Sequence, residues 1–485
     1  MRSAGVGIVT TSRIRSIGDN SKLSMLTLFT HSSFRDCSGL SRRDFLRIGA
    51  MGFGSLSLPR ILASRAAAPS SERDFIKDKS VVLLFLAGGA SHIETFDPHM
   101  DAPSEIRSVT GEVATSIPGV TFGGTFPRLA KLARKMAVVR SFRHTITDHP
   151  KAIQHVLTAG HPAQVSMGSI YTRFRGTNHA ATGLPTYMTL LAPEIDPQYL
   201  KEKERVWAGS GPGSLGPVYT PFDPSGGGPM IKNLELNISR ARFLDRHSLL
   251  GMLDQLNRRI DSSGMIAALD QYEQQALDMI LRGAGSAFDL SHEDPRLIER
   301  YDTSRYQVGK KLFRACTIGK QMLLARRLCE AGCGFVTVQS AGWDMHADIN
   351  NPGMVAGMEM LGHPLDQAVS AFLEDVEARG LSDKILLVIT GDFGRTPKIN
   401  ARGGRDHWAN LGTLAFAGGG LKMGQVVGRS DLQAADPASD PITPHHLLAT
   451  IMHALFDVGK LRVQPALPRD LLAFIEQAEP IRELI

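Results

Sequence analysis

The chain has 485 residues, of which 42% are hydrophobic and 21% charged. This is ordinary globular composition, with enough length to bury a sizeable core. Of the 54 basic and 48 acidic residues, residues 1–65 hold ten and three, which leaves 44 and 45 for the remainder. The net charge of +6 therefore belongs to the N-terminal region, and the near-neutral remainder argues against nucleic acid as a partner.

The N-terminal region carries three export features in order. Residues 41–47 read SRRDFLR, which resembles the twin-arginine export signature; an apolar stretch follows at 48–58, and small residues at 63–68 offer a cleavage site. The apolar stretch is too short and too glycine-rich to span a bilayer permanently. We therefore expect a signal region at 1–68, export by the twin-arginine machinery and a periplasmic or extracellular protein. A basic surface helix is the alternative interpretation of the arginine pair.

Residues 69–485 read as a single α/β domain in which strands alternate with helices. The run KSVVLLFLAGGASH at 79–92 is continuously apolar until two glycines end it, which is typical of a parallel strand buried on both faces. This alternation favours a doubly wound, mostly parallel sheet. The predicted strands are 81–87, 137–142, 334–340, 384–390 and 413–419, and the predicted helices are 126–136, 149–160, 306–331, 361–376 and 443–456.

Two further segments and the cysteines limit the possibilities. Residues 208–229 hold seven glycines and five prolines, which predicts a long surface loop, with a functional lid as the alternative. Residues 237–282 predict a charged helical insertion beside the sheet. Cys316, Cys329 and Cys333 are an odd number beyond the signal region, which fits poorly with a disulfide scaffold.

Polar side chains follow every predicted strand. Because ligands bind at the carboxyl ends of strands in such sheets, we expect these side chains to meet at one edge. Their carboxylates would repel one another unless a divalent cation were bound, and mixed Asp and His ligands suit zinc or manganese, whereas an oxygen cage suits calcium or magnesium. The candidates are His92, Glu94, Asp97, His144, Asp148, His149, Asp344, His346, Asp348, Asp392, Arg395, Arg405, Asp406 and His407.

Five separated motifs resemble one exported bacterial family, the domain of unknown function 1501 family, over residues 38–480. They are GGASHIETFDPH, LTAGHPA, GWDMHADI, GDFGRTPKIN and GRDHW. The family resembles the alkaline-phosphatase and sulfatase superfamily. The resemblance implies an alkaline-phosphatase-like three-layer sandwich, with helices on both faces of the sheet. It also implies a metal site at the strand ends that hydrolyses phosphate or sulfate esters.

The resemblance also suggests metal ligands, position by position. Superfamily enzymes place an acid after the first strand, where this chain offers His92, Glu94 or Asp97. They take an Asp and a His from a middle strand end, which Asp344 and His346 resemble. They also follow a later strand with Asp-His, whereas Phe393 follows Asp392 here. His407 resembles the final His of the superfamily.

The nucleophile is the weakest part of the match. Sulfatases carry Cys or Ser in a Cys-x-Pro-x-Arg helix start, and TDHPKAIQHVLTAG at 147–160 occupies that place. Pro150 and Lys151 resemble the Pro and Arg, but no Cys is present for conversion to formylglycine. Thr147 is then the candidate nucleophile, while His149 is either a further metal ligand or a covalent phosphoryl carrier. Lys151 or Arg395 would hold the substrate anion.

Three functions remain open from the sequence. The first is an exported, metal-dependent hydrolase of phosphate or sulfate esters, including those of sulfated polysaccharides. The second is a non-catalytic relative that binds anionic polysaccharide or organises the cell envelope, and glycan binding that survives chelation would favour it. The third is a phosphomutase or phosphotransferase, which export disfavours because sugar-phosphate metabolism is largely cytoplasmic.

Overall fold

The computed structural model describes residues 74–191, 199–224, 242, 245–246, 276–282, 284–464 and 467–485. These residues all belong to one compact unit, Ala50–Ile485. The predicted signal region at 1–68 lies outside the described residues, as does most of the predicted helical insertion at 237–282.

The strands fall into one large sheet and three small hairpins. In chain order they are β1 (Ser80–Leu86), β2 (Glu112–Ala114), β3 (Thr121–Gly123), β4 (Met136–Val139), β5 (Tyr187–Leu190), β6 (Gln307–Val308), β7 (Arg314–Ala315), β8 (Phe335–Ser340), β9 (Ile385–Gly391), β10 (Gly394–Arg395), β11 (His407–Trp408), β12 (Leu414–Gly418) and β13 (Gln425–Val427). The large sheet has the order β13-β4-β12-β9-β1-β8-β5, and the hairpins are β2-β3, β6-β7 and β10-β11.

The helices flank this sheet. In chain order they are α1 (His92–Thr95), α2 (Pro127–Lys131), α3 (His149–Thr158), α4 (Met167–Arg175), α5 (Leu200–Gly209), α6 (Pro295–Tyr301), α7 (Ile318–Glu330), α8 (Met354–Ala378), α9 (Pro444–Leu455), α10 (Val458–Arg462) and α11 (Arg469–Ile475). Short 3₁₀ helices lie at Ala133–Lys135, Gly213–Leu215, Pro217–Tyr219, Ala284–Phe288, Leu290–His292 and Arg482–Leu484. Within the described ranges, none of these helices combines the length and apolarity needed to cross a membrane.

β1 occupies the middle of the sheet and is buried on both faces. Val82 and Leu84 belong to a core shared with α7 and α8, whereas Leu83 and Phe85 belong to a second core shared with α3, α4 and α9. Alternate side chains thus point to opposite helical layers, as the period of two in a strand requires. The predicted α/β fold, with a mostly parallel sheet between helices, is confirmed.

The register of the central strands builds one functional edge. β1 pairs in parallel with both β8 and β9, and Leu86 at its end lies opposite Ser340 and Gly391. The carboxyl ends of three strands therefore lie side by side. The residues that follow them emerge at the same edge of the sheet, where open α/β sheets bind ligands.

The structure departs from the predicted elements in three places. β12 runs antiparallel to both β4 and β9, although the pattern predicted a parallel strand. The short strands β5 and β13 at the two ends of the sheet were not predicted. The predicted helix 306–331 is wrong over 306–317, where β6 and β7 form a hairpin, and the observed helix α7 begins at Ile318. Gly309 in that hairpin has φ +141°, which is incompatible with a helix.

Candidate active site

A glycine turn after β1 makes the close approach of the strand ends possible. Gly88 has φ +107°, and a Cβ placed on it would lie 2.6 Å from the backbone nitrogen of Asp344 and 2.9 Å from that of Trp343. The atoms it would meet belong to backbone, which cannot rotate away. Only glycine therefore lets the segment after β1 pass this close to the segment after β8.

The Oδ1 atom of Asp344 is the centre of the site. The guanidinium of Arg395 donates to it from Nη2 at 2.6 Å. Three imidazole nitrogens surround the same oxygen, all of them Nε2: His346 at 2.9 Å, and His149 and His407 at 3.5 Å each. The chain thus gathers residues from the ends of β8 and β9, the start of α3 and the loop before β12.

The outer nitrogen of each of these imidazoles is held in place. When Nδ1 is fixed by an acceptor, the ring presents Nε2 in a defined direction, as in the histidine ligands of metalloproteins. Three different acceptors serve the three rings. They are Asp392 Oδ2 at 2.6 Å from His149, Asp406 Oδ1 at 2.9 Å from His346, and the carbonyl oxygen of Thr147 at 2.8 Å from His407.

Asp392 is itself tightly positioned. Its side chain is fully buried, and its two carboxylate oxygens accept from the backbone N–H of Gly88 at 3.2 and 3.3 Å. The imidazole of His144 lies 2.6 Å from its carbonyl oxygen. Asp392 is therefore positioned to orient the His149 ring.

Phe393 fills the position where the superfamily pattern places an imidazole. Its ring centroid lies 4.8 Å from that of His149 and 4.7 Å from that of His407. The aromatic ring packs against two candidate ligands and fixes their planes. Phe393 therefore supports the orientation of both imidazole rings.

The charges in the cluster reinforce one another. Burial alone would raise the pKa of Asp344, but the surrounding imidazoles of His149, His346 and His407 and the Arg395 charge hold that pKa far below its usual range. Burial alone would lower the pKa of His149, but the Asp344 carboxylate 3.5 Å from its Nε2 atom and the hydrogen bond to Asp392 raise it to about 9. The bond to Asp344 likewise raises the pKa of His346.

His407 shifts in the opposite direction. Burial lowers its pKa, and the positive charges of Arg395 and His149 act in the same sense. A neutral imidazole therefore stands opposite a charged one across the Asp344 carboxylate. Neutral imidazole is the form that binds metal.

Three of these side chains fit a divalent cation. The ligand atoms of His149, Asp344 and His407 all lie within 4.8 Å of one another. The Nε2 atom of His149 is buried and makes no hydrogen bond to the described residues, a cost that a metal would remove. One carboxylate and two imidazoles are a donor set that zinc and manganese accept readily, whereas calcium prefers oxygen alone.

Arg395 does not present a free guanidinium to a substrate. Its N–H groups donate to Gly89 O, Gly88 O, Asp344 Oδ1 and Arg405 O, and Nη1 lies 3.3 Å from His346 Nε2. Its side chain is fully buried. In this structure Arg395 therefore braces Asp344 and the turn after β1, and its predicted role in holding the substrate anion stays a prediction.

Glu94 and His92, which were predicted as metal ligands, are engaged elsewhere. The Glu94 carboxylate is fully buried and pairs with Arg405 Nη2 at 3.1 Å, while Ser108 Oγ donates to it at 2.7 Å. His92 Nε2 lies 3.0 Å from the carbonyl oxygen of Ala434, and burial lowers the pKa of His92 to about 4. Both residues therefore make structural contacts and are not part of the cluster around Asp344.

Asp97 and Asp348 have structural partners as well. Asp97 pairs with Arg140 at 3.1 Å and with His99 at 3.1 Å. Asp348 accepts from the backbone N–H groups of Asn350 and Asn351 at 2.8 Å each. The first is a buried ion pair, and the second is a turn of the kind that aspartate commonly forms.

The start of α3 delivers the remaining predicted residues. Asp148 is the N-cap and accepts from the backbone N–H of Lys151 at 3.3 Å, which satisfies one unpaired donor of the first turn. Pro150 occupies the first turn, where its missing N–H is harmless. This cap directs His149 into the cluster, and the nearby residues Thr147 and Lys151 are exposed.

Glu202 belongs to the surroundings of the site and was missed from the sequence. It lies on α5, is 7% exposed, and accepts from the backbone N–H of Gly342 at 2.8 Å. Burial raises its pKa to about 8, and the charges of Asp392 and Asp344 act in the same direction. The charged stretch LKEKERVW predicts a surface helix. The only signal was that Glu202 and Val206 lie four residues apart, on one helical face.

Solved structures with related architecture share little sequence with this chain. The lipoteichoic acid synthase LtaP from Listeria monocytogenes is 9% identical, with 90% of this chain and 79% of that chain covered at a TM-score of 0.34. The PsFucS1 sulfatase from Pseudoalteromonas sp. is 12% identical, with 82% and 71% covered at 0.32. The phosphonate monoester hydrolase SpPMH from Silicibacter pomeroyi is 10% identical, with 78% and 73% covered at 0.32.

A match to a protein-family model shows the family of this chain. No curated protein is similar enough to this chain to match it. Residues 78–465 match the family model described as protein of unknown function (DUF1501). That range includes all the side chains of the cluster around Asp344 and most of the chain. The chain therefore belongs to the DUF1501 family.

Proposed function

We propose that this protein is an exported, metal-dependent hydrolase of phosphate or sulfate esters. One observation carries the proposal: three imidazole Nε2 atoms surround Asp344 Oδ1 while an acceptor holds each Nδ1 atom. A purely structural cluster has no need for three separately oriented rings around one carboxylate oxygen. A divalent cation would bind the oriented Nε2 atoms together with the Asp344 carboxylate.

His149, Asp344 and His407 would hold the cation, with His346 as a fourth candidate. Asp392 would orient His149 from behind, as carboxylates do for histidine ligands. The donor set favours zinc or manganese over calcium. When bound, the cation supplies positive charge that polarises the phosphoryl or sulfuryl group of the ester.

Thr147 and Lys151 would act on the substrate at the exposed edge. The carbonyl oxygen of Thr147 is hydrogen-bonded to His407, which holds this residue beside the cluster. The hydroxyl oxygen, or that of a water molecule, would bond to phosphorus or sulfur while the bond to the alcohol oxygen breaks. Where Thr147 is the nucleophile, water then bonds to the same atom, the bond to the threonine oxygen breaks, and the water proton returns to that oxygen. The proton that the nucleophile releases matches the proton that the leaving alkoxide takes up. Lys151 would hold the non-bridging oxygens as a point charge.

Export is the second part of the proposal. The SRRDFLR motif at 41–47 supports transport by the twin-arginine machinery to the periplasm or beyond. Phosphate and sulfate esters of polysaccharides are the substrate class that such a location offers. Edman sequencing of the protein isolated from the periplasm tests this part, because cleavage within 63–68 is expected.

The hydrolase proposal is tested by turnover on a defined panel. We would assay 4-nitrophenyl phosphate, bis(4-nitrophenyl) phosphate, 4-nitrophenyl phenylphosphonate and 4-nitrophenyl sulfate with zinc or manganese added. Asp344→Asn should lower kcat/KM by about a thousandfold, which corresponds to ~4 kcal/mol of transition-state stabilisation. Asp289→Asn is the matched control, since Asp289 forms an exposed pair with His292 at 3.3 Å. If Asp344→Asn turned over these esters as fast as the wild type, with its circular dichroism unchanged, the cluster around Asp344 would not be the active site.

One observation favours a second candidate, a non-catalytic binder of anionic polysaccharide. The Arg395 guanidinium is fully buried and donates to four protein oxygens, so it is not available to clamp a tetrahedral anion. Affinity for a sulfated polysaccharide that survives EDTA, together with no turnover on the panel, would select this candidate.

A further inference from the structure

A short hairpin exposes apolar and basic side chains together. β6 and β7 pair antiparallel, Gln307 with Ala315 and Val308 with Arg314. In the connection between them Phe313 is 61% exposed and Leu312 is 43% exposed. The cationic residues Lys310, Lys311 and Arg314 are exposed on the same hairpin.

Named contacts connect this hairpin to the candidate active site. Lys311 Nζ donates to Asn350 Oδ1 at 2.6 Å, and the neighbouring Asn351 donates from Nδ2 to Asp344 Oδ2 at 3.3 Å. At its base, the backbone N–H of Gly309 contacts Met360 Sδ on α8 at 3.2 Å. The hairpin therefore stands at the rim of the site, one loop away from its central carboxylate.

The intervening loop exposes further apolar side chains. Ile349 is 83% exposed in the turn beside Asn350, and Val355 is 51% exposed in the first turn of α8. With Leu312 and Phe313, these make four of the eight strongly exposed large hydrophobic residues in the described ranges. Single exposed apolar residues need no explanation, but a cluster beside a candidate active site indicates a binding surface.

We propose that this rim, formed by Leu312, Phe313, Ile349 and Val355 with the cations Lys310, Lys311 and Arg314, binds the surface of an anionic lipid membrane. Apolar side chains enter the boundary between headgroups and acyl chains, while lysine and arginine bind the phosphates. The proposal goes beyond the ester-hydrolase function and does not depend on it. If both hold, the site faces esters that lie at a membrane surface.

The composition of the rim favours lipid over polysaccharide. Three of its four apolar side chains are aliphatic, and they offer no hydrogen bond to a sugar hydroxyl and no aromatic face on which a sugar ring can stack. An acyl chain accepts aliphatic contact directly. Because the apolar area is small, we expect reversible adsorption that weakens with salt.

Vesicle co-sedimentation of the full-length mature protein tests the proposal. The probes are vesicles of phosphatidylglycerol and vesicles of phosphatidylcholine, with dextran sulfate as a soluble anionic polymer. Leu312→Ser/Phe313→Ser removes the apolar tip and keeps the charges, whereas Lys310→Ser/Arg314→Ser removes two charges and keeps the apolar tip. Val463→Ser is the control, because Val463 is 74% exposed after α10.

The expected result is binding to phosphatidylglycerol vesicles that falls as ionic strength rises beyond about 0.15 M. The apolar double variant should bind on the order of tenfold more weakly, as expected for losing large apolar side chains from the interface. The charge variant should also weaken, and Val463→Ser should match the wild type. Binding to dextran sulfate but not to vesicles, or vesicle binding unchanged in both double variants, would overturn the proposal. Neither readout involves ester turnover, so a failure here is distinct from a failure of the hydrolase function.

Discussion

His149 Nδ1 lies 2.6 Å from Asp392 Oδ2, and this contact joins the start of α3 to the end of β9. The two residues are 243 positions apart in the chain. The fold brings them together because β9 lies beside β1, while the capped first turn of α3 points toward the same edge of the sheet. The orientation of His149 toward Asp344 therefore depends on a fully buried carboxylate that the substrate does not need to touch.

Asp392→Asn tests that dependence. The amide keeps the size of the side chain and removes its charge, so His149 loses the partner that fixes its ring. We expect metal affinity to fall about 10- to 100-fold, as is typical when a supporting carboxylate is lost. Competition with a fluorescent chelator measures the change. Asp366→Asn is the matched control, since Asp366 is also buried and accepts backbone N–H groups from α2. Equal affinity in the wild type and the Asp392 variant would contradict the role given to Asp392.

The Glu94→Gln variant tests whether Glu94 stabilises the fold or binds the metal. The change leaves the buried Arg405 charge without its partner, and we expect a loss of about 3 kcal/mol in the free energy of unfolding, measured in urea. The metal content of the variant should stay at the wild-type level. Glu476→Gln, which breaks the exposed pair with Arg462, should cost less than about 1 kcal/mol. If the Glu94 variant were as stable as the wild type but had lost its metal, Glu94 would be a metal ligand, and its structural role would be contradicted.

Gly88→Ala should damage both the fold and the site. The added Cβ would meet backbone atoms of Asp344 and Trp343 at 2.6 and 2.9 Å, so we expect a destabilisation above about 3 kcal/mol. Gly119→Ala is the control, because Gly119 also has positive φ, +77°, with nothing within 4 Å of the added Cβ. Strain alone should then cost about 1 kcal/mol. Similar losses in the two variants, measured by thermal unfolding, would show that the close approach at Gly88 is unimportant.

Glu202 predicts a specific dependence of stability on pH. Burial raises its folded pKa to about 8 from the ordinary glutamate value of 4.5, so the folded state binds the proton more tightly than the unfolded state. Its contribution to stability is complete below about pH 4.5 and is lost as pH rises through 8. Glu202→Gln keeps an oxygen that accepts from the backbone N–H of Gly342. Because the amide does not titrate, the variant lacks this pH-dependent contribution to stability. With EDTA present, the variant should gain roughly 3–5 kcal/mol relative to the wild type between pH 5 and 9. Parallel stability curves for the two proteins over this range would contradict the raised pKa.

The sequence predicted the central sheet well because β1 and β9 are continuous apolar runs that end near glycines. β8 has the sequence FVTVQS and is, like them, buried on both faces. The hairpin at β6 and β7 was misread as helix because Val308, Leu312 and Ala315 happen to repeat at helical spacing. Only tertiary structure shows that Leu312 faces solvent.

The candidate site was predictable in part for a similar reason. Residues directly after buried parallel strands, such as Asp344 and Asp392, meet at one edge by topology alone. Glu94 follows β1 just as closely, yet its partner Arg405 lies 311 residues away, and no local pattern reveals that pairing. Glu202 was missed because its helix looks like a surface helix in sequence, and only the packing of α5 against the loop after β8 buries it.

Metal content measured by inductively coupled plasma mass spectrometry tests the central claim most directly. The protein would be purified without added metal and compared with an Asp344→Ala/His407→Ala variant. An Asp289→Ala/His292→Ala variant removes an exposed Asp–His pair as the matched control. The account predicts stoichiometric zinc or manganese in the wild type and the control, and its loss from the Asp344/His407 variant. A folded wild-type protein that carries no metal and takes up neither zinc nor manganese when they are supplied would contradict it.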